Sequence, residues 1–204
     1  MYVFSVLSGI AYMILVISYL AGWKKTRIFR DTSFEKKTKV SVIIPVRNEA
    51  VHIPDLIKAL RRQEYPKELF EVILVDDHSS DSTREVIALC TKENSCCSLI
   101  SSTLTGKKHA LLEGIDLSSG DLILTTDADC RFGRSWISSV VSYFEKNNPD
   151  LVIGPVILNE GPGIFQDLQS LEFLSLAGSS GGSAGIGRPI LCSGANLAYR
   201  RDIV

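Results

Sequence analysis

Asp121-Leu-Ile-Leu-Thr-Thr-Asp-Ala-Asp-Cys130 is the stretch on which the fold turns. Its apolar run, Leu122-Ile123-Leu124, has the length of a buried strand and empties directly into two carboxylates one residue apart. In open α/β sheets, ligands lie in the crevice beyond the carboxyl ends of the strands. Asp127 and Asp129 at such an end form a hard-oxygen site suited to Mg2+ or Mn2+ carrying a phosphorylated ligand. An Asp-x-Asp alone says little, since a chain of this length contains on the order of one by chance. Its place after a strand, and a second acidic pair upstream at Asp76-Asp77, lift it out of that background.

On either side of this stretch, strand and helix patterns alternate. Val40 to Pro45 reads as a first strand, and Pro54 opens a helix with Ile53, Leu56, Ile57 and Leu60 on one face. Phe70 to Val75 is a second strand ending at the acidic pair. Ser82-x-x-Glu85 has the form of a capping box for a helix that turns Val86, Ile87 and Cys90 inward. A weaker strand, Ser98 to Ser101, precedes a helix from Lys107 to Leu117 with Leu111, Leu112 and Ile115 on its apolar side; Gly120 closes the turn. After the Asp121–Thr126 strand come a helix over 135–147, a strand over 151–158 and an amphipathic helix over 164–177. A Gly/Ser-rich segment, 178–187, is expected to be mobile, and Ala195 to Arg200 forms the last strand. Such alternation implies an α/β fold, a mainly parallel sheet with helices on both faces.

The chain of 204 residues is long enough for one domain with a sizeable core. Its 22 basic and 23 acidic side chains leave a net charge of -1, which argues against a nucleic-acid binder. The basic charge is concentrated between Lys24 and Lys39, where seven Lys/Arg face only Asp31 and Glu35. Before it, Tyr2 to Trp23 carries no charged side chain and matches a bilayer core of about 30 Å at 1.5 Å per residue. A cleaved signal peptide is the competing reading, but it would place its positive charges ahead of the apolar segment. The expected organisation is a transmembrane anchor over 1–23, a basic juxtamembrane linker over 24–39 and the folded domain over 40–204. By the positive-inside rule that domain faces the cytoplasm. Five cysteines (Cys90, Cys96, Cys97, Cys130, Cys192) without a disulfide-like layout agree with a reducing compartment and read as small buried hydrophobes.

Three strand ends bear polar groups: Pro45-Val-Arg-Asn-Glu49, Asp76-Asp-His-Ser-Ser-Asp81, and Asp127 with Asp129. Neighbouring strands lie about 5 Å apart, so these turns can converge on one crevice. Neither a Gly-x-Gly-x-x-Gly nor a Gly-Lys-Ser/Thr loop follows the first strand, so phosphate charge falls to a metal on Asp129, with Lys107 or Lys108 assisting. Acids for base and ribose with a metal for the diphosphate suit a nucleotide-sugar better than ATP. The plainer reading of Asp81 and Ser82 is a turn and helix cap.

Val42-Ile-Ile-Pro-Val-Arg-Asn-Glu49, Val75-Asp-Asp-His-Ser-Ser-Asp-Ser-Thr83, Gly106-Lys-Lys-His-Ala-Leu111, Thr126-Asp-Ala-Asp129 and Ser193-Gly-Ala-Asn196 resemble, in order, the motifs of the family 2 glycosyltransferases. The resemblance covers residues 40 to about 200 and is nearest to bacterial membrane-anchored members. It implies an inverting enzyme of the GT-A fold, a Rossmann-like nucleotide-diphospho-sugar transferase, here preceded by one transmembrane helix. By the same resemblance Pro45, Arg47 and Glu49 belong to the nucleoside pocket, Asp77 with Asp76 contacts base and ribose, and Lys107 lies near the nucleotide. Asp127 would approach ribose and sugar, Asp129 would ligate Mg2+ or Mn2+, and Ser193, Gly194 and Ala195 would line the acceptor side. Leu112 stands where the family often has Asn.

The implied partners are a nucleotide-sugar donor, UDP being the commonest nucleotide, and a lipid-linked or polysaccharide acceptor. A general base is expected from an acidic motif beyond Gly-Ala-Asn, yet only Asp202 follows Asn196. The expectation is therefore a donor-binding half, cut before its base, with Glu160, Asp167 and Glu172 as weak substitutes. Two rivals stand beside it. A sugar nucleotidyltransferase would carry a Gly-rich basic first loop, absent after Pro45; a non-catalytic, membrane-anchored binder would keep the pocket without turnover.

Overall fold

Val40–Val46 (β1) is the strand about which the main unit is built. It pairs in parallel with Phe70–Asp76 (β2) on one side and Leu122–Thr125 (β4) on the other. Cys97–Ser101 (β3) extends the sheet parallel to β2, while Leu197–Arg200 (β6) runs antiparallel to β4 and to Leu151–Ile153 (β5). The order is β3-β2-β1-β4-β6-β5. Register opposes Val46 to Asp76 and Ile43 to Thr125. Asp127, two residues past Thr125, thus leaves the sheet at the same edge as Asp76 and the end of β1.

This computed structural model describes residues 2–26, 29, 37–92, 96–158 and 163–203. The chain divides into two units, Met1–Phe29 with Pro155–Ser193, and Arg30–Gly154 with Gly194–Val204.

In the sheet-bearing unit, successive side chains of β1 point to opposite faces and enter different cores. Val40, Val42, Ile44 and Val46 pack with Ile53, Leu56, Ile57 and Leu60 of Ile53–Arg61 (α2), Ile87 of Thr83–Thr91 (α3), and Ile137 and Val141 of Trp136–Asn147 (α5). Ile43 joins Ile73, Val75 and Ile123 under Ala110 and Ile115 of Lys107–Leu117 (α4). Each fully buried Ile, Leu or Val contributes roughly 1.5–3 kcal/mol of transfer free energy, which makes this two-sided burial the main source of stability.

Helix α4 meets the sheet through smaller residues than its leucines suggest. Ala110, Gly114 and Ile115 face inward, Leu111 is half-buried and Leu112 is exposed. A Cβ on Gly114 would stand 2.5 Å from the Ile43 side chain, so the close helix–sheet approach selects glycine. The capping box at Ser82 does not form, because the Asp81 carboxylate takes that role and accepts from the Thr83 amide at 3.0 Å. The strand expected over 151–158 stops at Ile153, since β6 offers partners only from Leu197 to Tyr199.

The chain enters β1 under constraint. Glu145 of α5 accepts from the amides of Lys37 and Thr38 at 3.0 and 3.1 Å, and the Tyr65 hydroxyl donates to the Thr38 carbonyl at 2.6 Å. Arg27, Arg30 and Lys36 of the basic linker lie outside the described residues, as does Glu160.

The second unit pairs two long helices. Tyr2–Lys25 (α1) is, among the described residues, the one helix long and apolar enough to cross a membrane. Ile164–Gly185 (α6) continues through most of the Gly/Ser-rich segment expected to be mobile. The reason is backbone proximity: a Cβ on Gly182 would lie 2.4 Å from the Tyr19 carbonyl oxygen, and one on Gly185 2.2 Å from that of Gly22. Small residues let two helix backbones meet, and the contact offsets the weak helix propensity of glycine, about 1 kcal/mol each. The other end of α6 is not buried as its apolar spacing suggested. Leu168 and Leu171 are exposed, and so are Asp167 and Glu172.

Gly120 joins β4 to the helix before it. A Cβ there would lie 2.6 Å from the backbone nitrogen of Ser41, inside β1, where no flexible side chain can yield. Gly120→Ala is expected to lower stability by about 1–3 kcal/mol, read as a shift in denaturant midpoint at unchanged slope.

Candidate active site

Three loops leave the carboxyl edge of the sheet, and hydrogen bonds stitch the first two together. The Asn48 amide donates to Ser79 Oγ at 3.0 Å, and Asn48 Oδ1 accepts from the Ser80 amide at 2.8 Å. The Glu49 amide donates to Thr83 Oγ1 at 2.8 Å. Asn48 and His78 both adopt left-handed backbone, with φ of 57° and 58°. Asn and His tolerate that region better than bulkier residues, which lets each loop turn sharply without glycine. Arg47 and Glu49 are thus held by the loop opposite them rather than by their own strand. Glu49 also meets His52 Nδ1 at 2.6 Å.

Asp77 is the centre of the arrangement. It is 4 % exposed, and its Oδ1 accepts from the Gly106 amide at 2.8 Å and faces His78 Nδ1 at 3.3 Å. Arg47 stands 3.6 Å from its other oxygen. Burial alone would raise the carboxyl; the Gly106 amide, the His78 imidazole and the Arg47 guanidinium outweigh it and hold Asp77 below the ordinary aspartate range. Asp76, 2 % exposed, is bound differently. Its oxygens accept from the Ser79 amide at 3.3 Å and from Arg84 at 3.1 Å.

The third strand end joins through α4. Lys107, the first residue of that helix, reaches Asp127 with Nζ 2.6 Å from Oδ1. Its neighbour Gly106 is the residue whose amide binds Asp77. The start of α4 therefore bridges the loops after β2 and β4, aiming the positive end of a helix dipole into the space between them. Asp129 is exposed two residues further on. Thr125 Oγ1 donates to the Gly194 carbonyl at 2.7 Å, which sets Gly194 beside the end of β4 with Ala195 next to it. Ser193 belongs to the other unit. Pro45 is half-buried within β1.

Among the described residues, no group of three or more His, Cys, Asp or Glu encloses a cation position. Any cation at this edge would depend on Asp127 and Asp129 together with oxygens from a ligand and water. Burial raises the Cys130 thiol above its ordinary range; hydrogen bonds from the Asp127 amide and the Thr126 side chain oppose the shift, and the charges of Asp129 and Asp127 add to it. Asp202, the acid after Asn196, is engaged by Arg200 at 2.9 and 2.6 Å. A separate apolar groove runs along α4 beside Leu111, Leu112, Ile115 and Tyr199, lined also by Lys107 and Lys108.

Several of these groups carry no mark in the sequence. The Gly106 amide is a backbone donor, and Arg84 lies eight positions from its partner on an ordinary helix. Asn196 ties structure together, accepting from Trp136 Nε1 at 3.0 Å through its side chain and from the Gly154 amide at 2.8 Å through its carbonyl.

Residues 41–204 match the family described as glycosyl transferase family 2. The chain belongs to that family. Among curated relatives, it is 38% identical over 118 residues to the glycosyltransferase AglE of Haloferax volcanii, covering 57% of this chain and 39% of that one. It is 31% identical over 176 residues to the undecaprenyl-phosphate 4-deoxy-4-formamido-L-arabinose transferase of Photorhabdus laumondii, covering 84% and 52%. Among solved structures, the mannosyltransferase PcManGT of Pyrobaculum calidifontis, in complex with GDP-Man and Mn2+, superposes at a TM-score of 0.73 with 21% identity, over 97% of this chain and 55% of that one. TarS 1-349 of S. aureus, in complex with UDP-GlcNAc, does so at 0.56 with 21% identity, over 81% and 46%. These structures establish the GT-A fold. The chain spans about half or less of the length of these relatives.

The lowered Asp77 carboxyl makes stability depend on pH. Its native pKa lies below its unfolded value of about 3.9, so its contribution is complete above that value and lost as pH falls through the native one. Asp77→Asn should be less stable than wild type at neutral pH, and the gap should close in acid. Denaturant titrations at a series of pH values measure this, and a gap independent of pH would refute it.

Proposed function

We propose that this chain provides the donor-binding part of a glycosyltransferase that draws on a nucleoside-diphosphate sugar, a UDP-sugar first among candidates, with a divalent cation and with inversion at the anomeric carbon. The observation that carries the reading is the bracket at the start of α4, where the Gly106 amide binds Asp77 and Lys107 binds Asp127. A nucleoside has polar edges and hydroxyls for carboxylates to read, and a diphosphate has charge for a helix start and a lysine to meet. Both halves of such a ligand therefore find a counterpart along one sheet edge. Asp77, Arg47 and Glu49 take the nucleoside, Asp127 the ribose and sugar, and Gly194 and Ala195 the acceptor side.

The residues fit Mg2+ or Mn2+. Asp129 is an exposed hard-oxygen donor one residue from Asp127, and such ions commonly bind through one or two carboxylates, completing their shell with phosphate oxygens and water. A bound cation would supply Lewis-acid relief of charge on the departing diphosphate. The protein's part is to hold the donor so that an acceptor hydroxyl or phosphate oxygen reaches the face opposite that diphosphate.

A lipid-linked acceptor suits a chain tethered by α1, read as a membrane anchor with Lys24 and Lys25 on its cytoplasmic side. The undecaprenyl-phosphate transferase among the relatives supports the same class of acceptor.

Calorimetry of UDP binding to the full chain in detergent, with and without Mn2+, tests the donor site. Asp129→Ala should weaken metal-dependent binding roughly ten- to a hundredfold, the scale of one charged interaction. UDP affinity indifferent to both Mn2+ and this substitution would exclude the metal-linked reading. Incubation with labelled UDP-sugars and polyprenyl phosphate, followed by lipid extraction and determination of anomeric configuration, tests acceptor and inversion.

A further inference from the structure

The two adjacent carboxylates at the end of β2 have different surroundings, and the difference traces to one residue on α3. Asp76 is almost completely enclosed, yet an ionised carboxylate cannot stay enclosed without a counter-charge. Arg84 supplies it. Its guanidinium donates to Asp76 Oδ2 at 3.1 Å and, from the same nitrogen, to Ser101 Oγ at 2.5 Å on the last residue of β3. The remaining Asp76 oxygen accepts from the Ser79 amide at 3.3 Å. Ser79 Oγ in turn accepts from the Asn48 amide, one residue from Arg47. A continuous path therefore runs from Arg84 through Asp76 and Ser79 to the loop that bears Arg47 and Glu49. Asp77 hangs from the same turn.

We infer that Arg84 is a positioning residue for the nucleotide site, acting through Asp76 to fix the 76–80 turn that sets Asp77 and Arg47, while Asp76 serves the protein rather than the ligand. The inference rests on the reading of this edge as a nucleoside-diphosphate site. The two acids of the pair thereby have separate roles. Asp77, with Arg47 and His78 beside it, faces the ligand, and Asp76 is the internal anchor. Without Arg84, Asp76 is left as an uncompensated enclosed charge. The turn then relaxes to admit water.

The test is a double-mutant cycle on UDP affinity in Mn2+, with the full chain in detergent. Wild type should bind; Arg84→Met should bind roughly tenfold more weakly, and Arg84→Lys should recover part of the loss. With Asp76→Asn as background, Arg84→Met should cost little more, because the charge that Arg84 serves has gone. Hydrogen exchange without ligand gives an independent readout: Arg84→Met should speed exchange at residues 79–80 while leaving the β1 amides protected. Should Arg84→Met fail to fold, Arg84→Lys carries the cycle in its place. A wild type that binds no UDP removes the reading of the site and this inference with it. Binding in wild type that Arg84→Met leaves unchanged, or a loss that adds in full to that of Asp76→Asn, removes the inference alone.

Discussion

An enclosed carboxylate must have its charge met, and in this chain that demand, made twice at the end of β2, organises everything at the sheet edge. Asp77 is met by a backbone amide at the start of α4, Asp76 by an arginine on α3. Each contact binds a different helix to the same strand end. The loop after β1 then docks on the loop after β2, and the loop after β4 is drawn in by Lys107. Nothing in the hydrophobic cores beneath would enforce these positions, because apolar packing is non-directional. The cores hold the strands in register, and the buried charges decide where the loops go.

The central strand β1 is the one that makes this possible. With neighbours on both sides and a core on each face, β1 has no freedom to slip. A one-residue shift would send Val42 and Ile44 into the space of Ile43, and every loop at the carboxyl edge would move with it. The glycines at 114 and 120 belong to the same scheme, since each allows an element to approach β1 more closely than any side chain would permit.

The regular elements were legible because their evidence is periodic and local. β1, β2, β4 and the helices α2 and α4 stand where their apolar spacing places them. The failures share a cause, tertiary contact overriding local preference. Glycines 178 to 185 read as a loop by composition, but α1 lies close enough to keep them helical. Leu112 read as core because leucine usually is, while the close approach of α4 reserved the inner face for Ala110 and Gly114. At the candidate site, the residues whose side chains announce their chemistry, Asp77, Lys107, Asp127 and Asp129, lie at one edge of the sheet. The partners that define their environment were not legible, because the Gly106 amide has no side chain to read and Arg84 becomes meaningful only when β3 and α3 are set beside Asp76.

The Lys107–Asp127 ion pair gives the resting crevice a built-in counter-ion. The ammonium has three N–H donors, so it can keep the carboxylate while offering the others, but its charge is already matched. A visitor bearing only negative charge would meet a pair that is neutral as it stands. One that brought a cation for the aspartate together with an anion for the lysine would leave every charge of the pair matched.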